Sequence, residues 1–243
     1  IDFKLLSSKI NLKKNTVNVL FLKNFKELKF KPNWLSKDIE SFLINSSKVR
    51  KIKHPYLFET QFGVFLICPF LNVSDYYNLD IENQGGTIFD KINSDFYNQI
   101  NIYVDDEIYS SNLLRGLCLK SYKFENYKSN KNERKIKNIS VFSQKNSKTK
   151  SNFQFNLNLI KGVFFARDLV WKPANILNPT SFSEECKKLK KFGVKVKILN
   201  ESNLKKIGMT SLLAVGQGSR QESYVVVMEW SGGKKGEKPL TVL

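Results

Sequence analysis

The sequence predicts an α/β protein in three parts. These are an N-terminal α/β domain over residues 1–150, a linking helix over 151–175, and the opening of a second α/β domain over 176–243. Three observations carry this. Short apolar, β-branched runs alternate with helical spacings through the first half, the order that builds a parallel or mixed sheet covered by helices. Phe153–Trp171 then repeats apolar residues at helical intervals until Pro173 stops it. Strand patterns resume after it at Val194–Leu199 and Tyr224–Trp230.

Thr16–Leu22 (TVNVLFL) is β-branched enough for a strand. Ser36–Asn45 follows with Ile39, Phe42 and Leu43 at helical spacing and Ser36 as N-cap. Gly63–Cys68, closed by Pro69, suits a buried strand. Gly85–Ile92 reads as a helix starting after a glycine pair, and Ile100–Val104 as a third strand. Asn112–Lys120 is helical in spacing, and Ile136–Phe142 makes a fourth strand. Ser143–Ser151 (SQKNSKTKS) is polar and flexible in composition, and ends the first domain.

In the linking helix Leu159, Val163, Ala166 and Val170 cluster on one side, opposed by a narrow stripe of Asn158, Lys161 and Asp168. Such a helix is expected to be largely buried. Arg167 falls on its apolar side, between Ile160 and Val163. A guanidinium there needs a carboxylate or backbone carbonyls as a clamp. Asn178-Pro179 supplies an N-cap with proline at the first helical position, and Ser181 with Glu184 offers a capping box one turn later. Lys187, Lys188, Lys190 and Lys191 sit at the negative pole of that helix, and Gly193 is its left-handed stop. Leu240–Leu243 reads as the start of one more strand.

Residue usage excludes several chemistries. His54 is the sole histidine, so a histidine zinc site or a Ser-His-Asp triad lacks its key residue type. Cys68, Cys118 and Cys186 are far apart, odd in number and without C-x-x-C spacing, which fits a reducing cytoplasm. No apolar run approaches the roughly 18 residues of a membrane span. Ile1 in place of an initiator methionine reads as a clipped start. The net charge of +18 raises nucleic acid as a partner. Only five of the 40 basic residues are arginine (Arg50, Arg115, Arg134, Arg167, Arg220), the residue that suits bidentate phosphate and base contacts. Drift toward lysine and asparagine codons accounts for the charge, and nucleic-acid binding stays open beside it.

Four segments invite a site. Gly85-Gly86 could cradle a phosphate at a helix start, or simply turn the chain. Asp105-Asp106-Glu107 has the composition of a carboxylate site, yet neighbouring side chains diverge on any regular element, which favours a loop or helix start. Aromatics alternate with lysines in residues 121–135, a pattern for stacking single-stranded nucleic acid or for a mobile charged hairpin. Gly216-Gln217-Gly218-Ser219 lacks the third glycine of a dinucleotide fingerprint and precedes a strand where a helix is required. Read by themselves, these residues supply no catalytic constellation, so no catalytic, metal-binding or cofactor-binding residue is assigned.

A family resemblance adds to this. Phe165-Ala166-Arg167-Asp168-Leu169-Val170, then Pro173-Ala174-Asn175 and Pro179, resembles the signature that opens the catalytic half of leucyl (cytosol) aminopeptidases. The similarity continues through Gly208-Met209, Leu212–Ser219, Val225–Trp230 and Gly232-Gly233. Upstream, Gly116, Leu119, Ser121-Tyr122, Phe124 and Tyr127-Lys128 match the family's segment before the domain junction. Trp171-Lys172 departs from the pattern, as does Pro69-Phe70-Leu71, which replaces a glycine-bearing strand end. The resemblance implies a macro-domain-like N-terminal α/β domain, then an α/β metallopeptidase catalytic domain. It also implies a cytoplasmic homohexamer, peptide substrates and two divalent metal ions, manganese or zinc (or magnesium), that activate a bridging water. The family's glycine-lysine-glycine turn and its metal ligands do not occur in this sequence. The expectation is therefore an N-terminal portion truncated before the metal site and inactive alone. The alternatives are a stand-alone module binding nucleotide or nucleic acid, and a non-functional gene remnant.

Overall fold

The computed structural model describes residues 2–4, 15–23, 26–50, 54–71, 78–92, 96–129, 138–144, 146–234 and 236–242. Two compact units divide the chain, Ile1–Arg167 and Asp168–Leu243. The first holds a seven-stranded mixed sheet. Its order is β1 (Asp2–Lys4), β7 (Asn138–Phe142), β6 (Gln99–Tyr103), β2 (Thr16–Lys23), β5 (Gly63–Pro69), β4 (Tyr56–Thr60), with the two-residue β3 (Glu27–Leu28) also on β2. Neighbours from β1 to β5 run parallel, while β3 and β4 are antiparallel to β2 and β5.

Strand β2 reads as a near-continuous apolar run because both of its faces are covered. Val17, Val19 and Phe21 enter one core, and Leu20 and Leu22 the other. Helix α1 (Lys37–Arg50) closes one face with Ile39 and Leu43, its first turn capped by Ser36, whose Oγ accepts from the Ile39 amide at 3.4 Å. Helices α2 (Asn78–Ile92), α3 (Glu107–Lys120) and α4 (Asn146–Trp171) close the other with Ile81, Ile88, Leu113, Leu117, Phe153 and Ile160. The result is a three-layer α/β unit.

Three features of this unit differ from expectation. Helix α2 begins at Asn78, so Gly85 and Gly86 lie in its interior. Helix α4 begins at Asn146, because Thr149 is buried and Lys148 reaches Glu107 of α3 at 2.8 Å, which draws part of SQKNSKTKS into the helix. On α4 the buried residues are Thr149, Phe153, Asn156 and Ile160, whereas Leu159 and Val170 are exposed. The packed face lies about a quarter-turn from the predicted one, at 100° per residue. Residues 136–137 of the fourth predicted strand, 130–135 of the lysine–aromatic segment and Gln144's neighbour 145 lie outside the described residues.

In the second unit, α5 (Pro179–Lys187) opens with a reciprocal cap. The Ser181 amide donates to Asn178 Oδ1 at 3.1 Å, and the Asn178 amide donates to Ser181 Oγ at 2.9 Å. The capping box thus sits one turn earlier than the Ser181–Glu184 pair, because proline at the first helical position fixes the start. A 3₁₀ turn, Lys188–Phe192, stops at Gly193 with φ 84°. Then come β8 (Lys195–Leu199), α6 (Glu201–Lys206), α7 (Thr210–Gly216) and β9 (Val225–Glu229). Strands β8 and β9 pair antiparallel, with Val196 opposite Met228 and Ile198 opposite Val226. Residues 240–242 form no strand, and Leu243 lies outside the described residues. Among the described residues no helix is long and apolar enough to cross a membrane.

Candidate functional site

In an open α/β sheet the ligand crevice lies beyond the carboxyl ends of the strands, where the chain switches direction across the sheet. Here the chain passes from β2 to β5 on one side, then returns to β6 on the other. The crevice therefore opens beyond β2, and aromatic side chains fill it. Tyr109, in the first turn of α3, meets Phe21 edge-on at 5.4 Å and stacks on Phe70 at 4.7 Å between ring centroids. Phe30 meets Phe70 edge-on at 5.7 Å, and the Lys29 ammonium lies 4.9 Å from the Phe70 ring. The Tyr109 hydroxyl donates to Gln84 Oε1, and Gln84 Nε2 donates to the Pro69 carbonyl at 2.8 Å. Burial raises the Tyr109 pKa far above the ordinary tyrosine range, so this group stays neutral and satisfied. Phe70, within the Pro69-Phe70-Leu71 strand end, thus places a ring in this crevice.

The three acids after β6 have structural partners. Asp106 caps α3, its Oδ1 accepting from the Tyr109 amide at 2.9 Å. Asp105 Oδ1 accepts from Ser143 Oγ and from the Gln144 amide, both at 2.8 Å. Glu107 pairs with Lys148. They diverge as neighbours on a helix start do, and compose no acid–base pair.

Gly85 of the glycine pair has a packing role, shared with Gly116 of α3. A Cβ built on Gly85 would stand 2.0 Å from the Leu113 carbonyl oxygen, and one on Gly116 only 1.8 Å from that of Glu82. Helices α2 and α3 approach backbone to backbone there, which only glycine permits. This corrects the phosphate-cradle reading, since the amides of a helix interior are already spent. Beside this contact lies an open cleft of about 370 Å³. Its charges are paired internally: Asp90 with Lys120 at 2.9 Å, and Glu82 with Arg115. Arg167 meets its expected clamp, donating from Nη1 to the Leu119 carbonyl at 2.8 Å with Tyr122 5.4 Å beneath it.

Among the described residues metal donors do not converge. Burial pushes the Cys118 thiol up to about 11 and raises those of Cys68 and Cys186, while His54 is exposed. Among the described residues no three of His, Cys, Asp and Glu gather as a metal site. In the second unit the Gly216–Ser219 segment closes on itself. The Ser219 amide donates to the Gly216 carbonyl at 3.0 Å, and its Oγ accepts from the Gln221 amide at 3.0 Å.

Residues 164–243 match the catalytic domain of the cytosol aminopeptidase family. The matched residues, 164–243, are similar to the opening of that catalytic domain. The probable cytosol aminopeptidase of Brucella suis is 44% identical over 130 residues, 51% of this chain and 26% of the relative. That of Nitrobacter winogradskyi is 36% identical over 182 residues, 71% of this chain and 35% of the relative. The chain thus spans about a quarter to a third of the curated relatives it matches. A mutant tomato leucine aminopeptidase superposes with a TM-score of 0.73 at 16% identity, over 93% of this chain and 50% of its own. A bottromycin maturation enzyme in complex with Mn gives 0.66 at 14% identity, over 90% and 46%. At these identities the superpositions establish the α/β fold alone. Among the described residues no donor set fits a metal ion.

Proposed function

We propose that the protein is a leucyl aminopeptidase, releasing N-terminal amino acids from peptides by two-metal hydrolysis. The match of residues 164–243 to the family's catalytic domain carries this reading. Residues 1–150 form the N-terminal macro-like domain, 151–175 the linking helix, and 176–243 the opening of the catalytic domain. The ligands to manganese or zinc lie in sequence that these residues do not include, and the working enzyme is a cytoplasmic homohexamer. Within this segment the Arg167 clamp and the Asn178 cap fix the entry into the catalytic domain; the chemistry is supplied elsewhere in the protein. The relatives, three to four times the matched length, support that division. The strand-end crevice, filled by Phe70 and Tyr109, gives the nucleotide-binding alternative no support.

The test compares two proteins: residues 1–243, and the product of the whole reading frame from which they come. Each is assayed on leucine amide with added manganese. Hydrolysis by the longer product alone is expected. Hydrolysis by residues 1–243 would overturn the placement of the metal site, and inactivity of both would overturn the aminopeptidase reading.

A further inference from the structure

Gly86 is the half of the glycine pair that helix packing does not explain. A Cβ built on it would meet nothing nearer than the Lys120 Cβ, at 3.8 Å, an ordinary contact. Alanine would favour the helix more, so the lack of a side chain gains nothing locally. Gly86 does line the cleft formed by α2, α3 and Arg167 of α4. At about 370 Å³ that cleft is within the range of small-molecule sites. Two side chains on its lining have bonding capacity left over. Arg167 donates from Nη1 to the Leu119 carbonyl, yet no carboxylate among the described residues pairs with it. Glu82 receives Arg115 Nε and Nη2 on Oε2 alone, so Oε1 has no donor among the described residues. Glu82 packs against Gly116, and Leu119 lies one turn further along α3, about 4.5 Å in rise. The unmatched guanidinium and the unused carboxylate oxygen are therefore rooted about one helical turn apart.

We propose that this cleft binds a free α-amino acid. The ligand's carboxylate pairs with the Arg167 guanidinium, whose planar fork suits it, and its ammonium group donates to Glu82 Oε1. Leu119 offers the ligand's side chain an apolar contact, and Gly86 keeps room for it. A dipolar ligand fits this lining better than a simple anion. Glu82 and Asp90 both stand on it, and they would repel a ligand such as phosphate that is negative throughout. A ligand with only one charge leaves either Arg167 or Glu82 Oε1 without its partner. Free amino acids are also what the proposed aminopeptidase releases, and on that reading the cleft takes the reaction's product. Binding itself rests on the cleft alone.

The experiment is a titration of the full chain with L-leucine, followed by protein NMR. Beside it run 4-methylpentanoate, which lacks the ammonium group, and leucine amide, which lacks the carboxylate. Leucine should saturate one site with a Kd on the order of 1 mM, and each analogue should bind at least about tenfold more weakly. Gly86→Leu fills the cleft from a position with room for a Cβ, and should abolish binding without lowering the melting temperature. Arg167→Gln keeps an N–H for the Leu119 carbonyl but removes the charge, and should weaken leucine binding at least about tenfold. It decides the matter should Gly86→Leu fail to fold. The absence of saturable leucine binding, analogues that bind as tightly as leucine, or binding that survives Gly86→Leu or Arg167→Gln would each overturn the proposal. None of these outcomes depends on hydrolysis, so the aminopeptidase reading stands or falls separately.

Discussion

The first unit buries Phe21, Phe65, Leu66 and Ile67 completely on the two faces of one sheet, whereas the second leaves Val215, Trp230 and Leu240 largely exposed. Among the described residues the second unit buries only Cys186 and Leu204 of its apolar side chains. Its sheet is a single antiparallel pair, and a two-stranded pair is marginal in water without a third strand or a covering helix. Both units have well-formed local devices, including the N-caps Asp106 and Asn178 and the left-handed stop at Gly193. Local devices set the shape of a segment, but burial supplies most of its stability. A well-capped element can therefore be correctly shaped and still weakly held.

The largest expected effect follows directly. Residues 1–167 should retain the cooperative melting transition of the whole chain, and residues 168–243 alone should melt without one. In hydrogen exchange the amides of β2 and β5 should be the slowest and those of β8 and β9 among the fastest. A cooperative transition from residues 168–243 alone would break the contrast between the units.

Glycine substitution sharpens the same contrast at single residues. Gly116→Ala drives a methyl group into the Glu82 carbonyl between two packed helices. Neither backbone can yield cheaply, so a loss of about 3 kcal/mol is expected, at the upper end for overpacking. Gly216→Ala in the second unit meets only the Ser223 hydroxyl at 2.1 Å, which a side-chain rotation relieves. Its cost should stay below about 1 kcal/mol. Denaturant melts of the two variants test this, and equal losses would refute it.

Strands β2 and β5 were legible because burial on both faces leaves a continuous apolar run. Strand β1 was not, because its partner β7 is distant in sequence, and β3 and β4 were not, because two and five residues show too little of a period even though their partners β2 and β5 are near. The Gly85-Gly86 pair misled for a related reason. Locally, glycine weakens a helix, and only the backbone of α3 across the contact explains Gly85 inside α2. The face of α4 was misplaced because apolar residues surround most of that helix, so periodicity permits several faces and packing selects one. At the candidate sites, the structural roles of Asp105, Asp106 and Arg167 could be read from spacing and charge. The filling of the crevice by Phe70 and Tyr109 could not, since Phe21, Phe70 and Tyr109 meet only once the sheet has formed.

The smallest expected effects are in pH dependence, and they have opposite signs in the two units. In the first, Tyr97 is buried and its hydroxyl donates to Glu59 Oε1 at 2.6 Å. Burial, with the adjacent carboxylate, pushes its pKa from 10 up to about 12. The folded state thus holds the phenolic proton more tightly than the unfolded chain does. That contribution to stability is complete below pH 10 and is lost as pH rises toward about 12. In the second unit, hydrogen bonds from Lys188 and Lys172 hold the Glu185 carboxyl below the usual glutamate range. Its contribution is present above the unfolded pKa and is lost as pH falls through the lowered folded value. Tyr97→Phe should flatten the alkaline limb of the first unit's melting temperature against pH. Glu185→Gln should flatten only the acid dependence of exchange in α5. A change on the same limb in both variants would mean that the two units do not titrate separately.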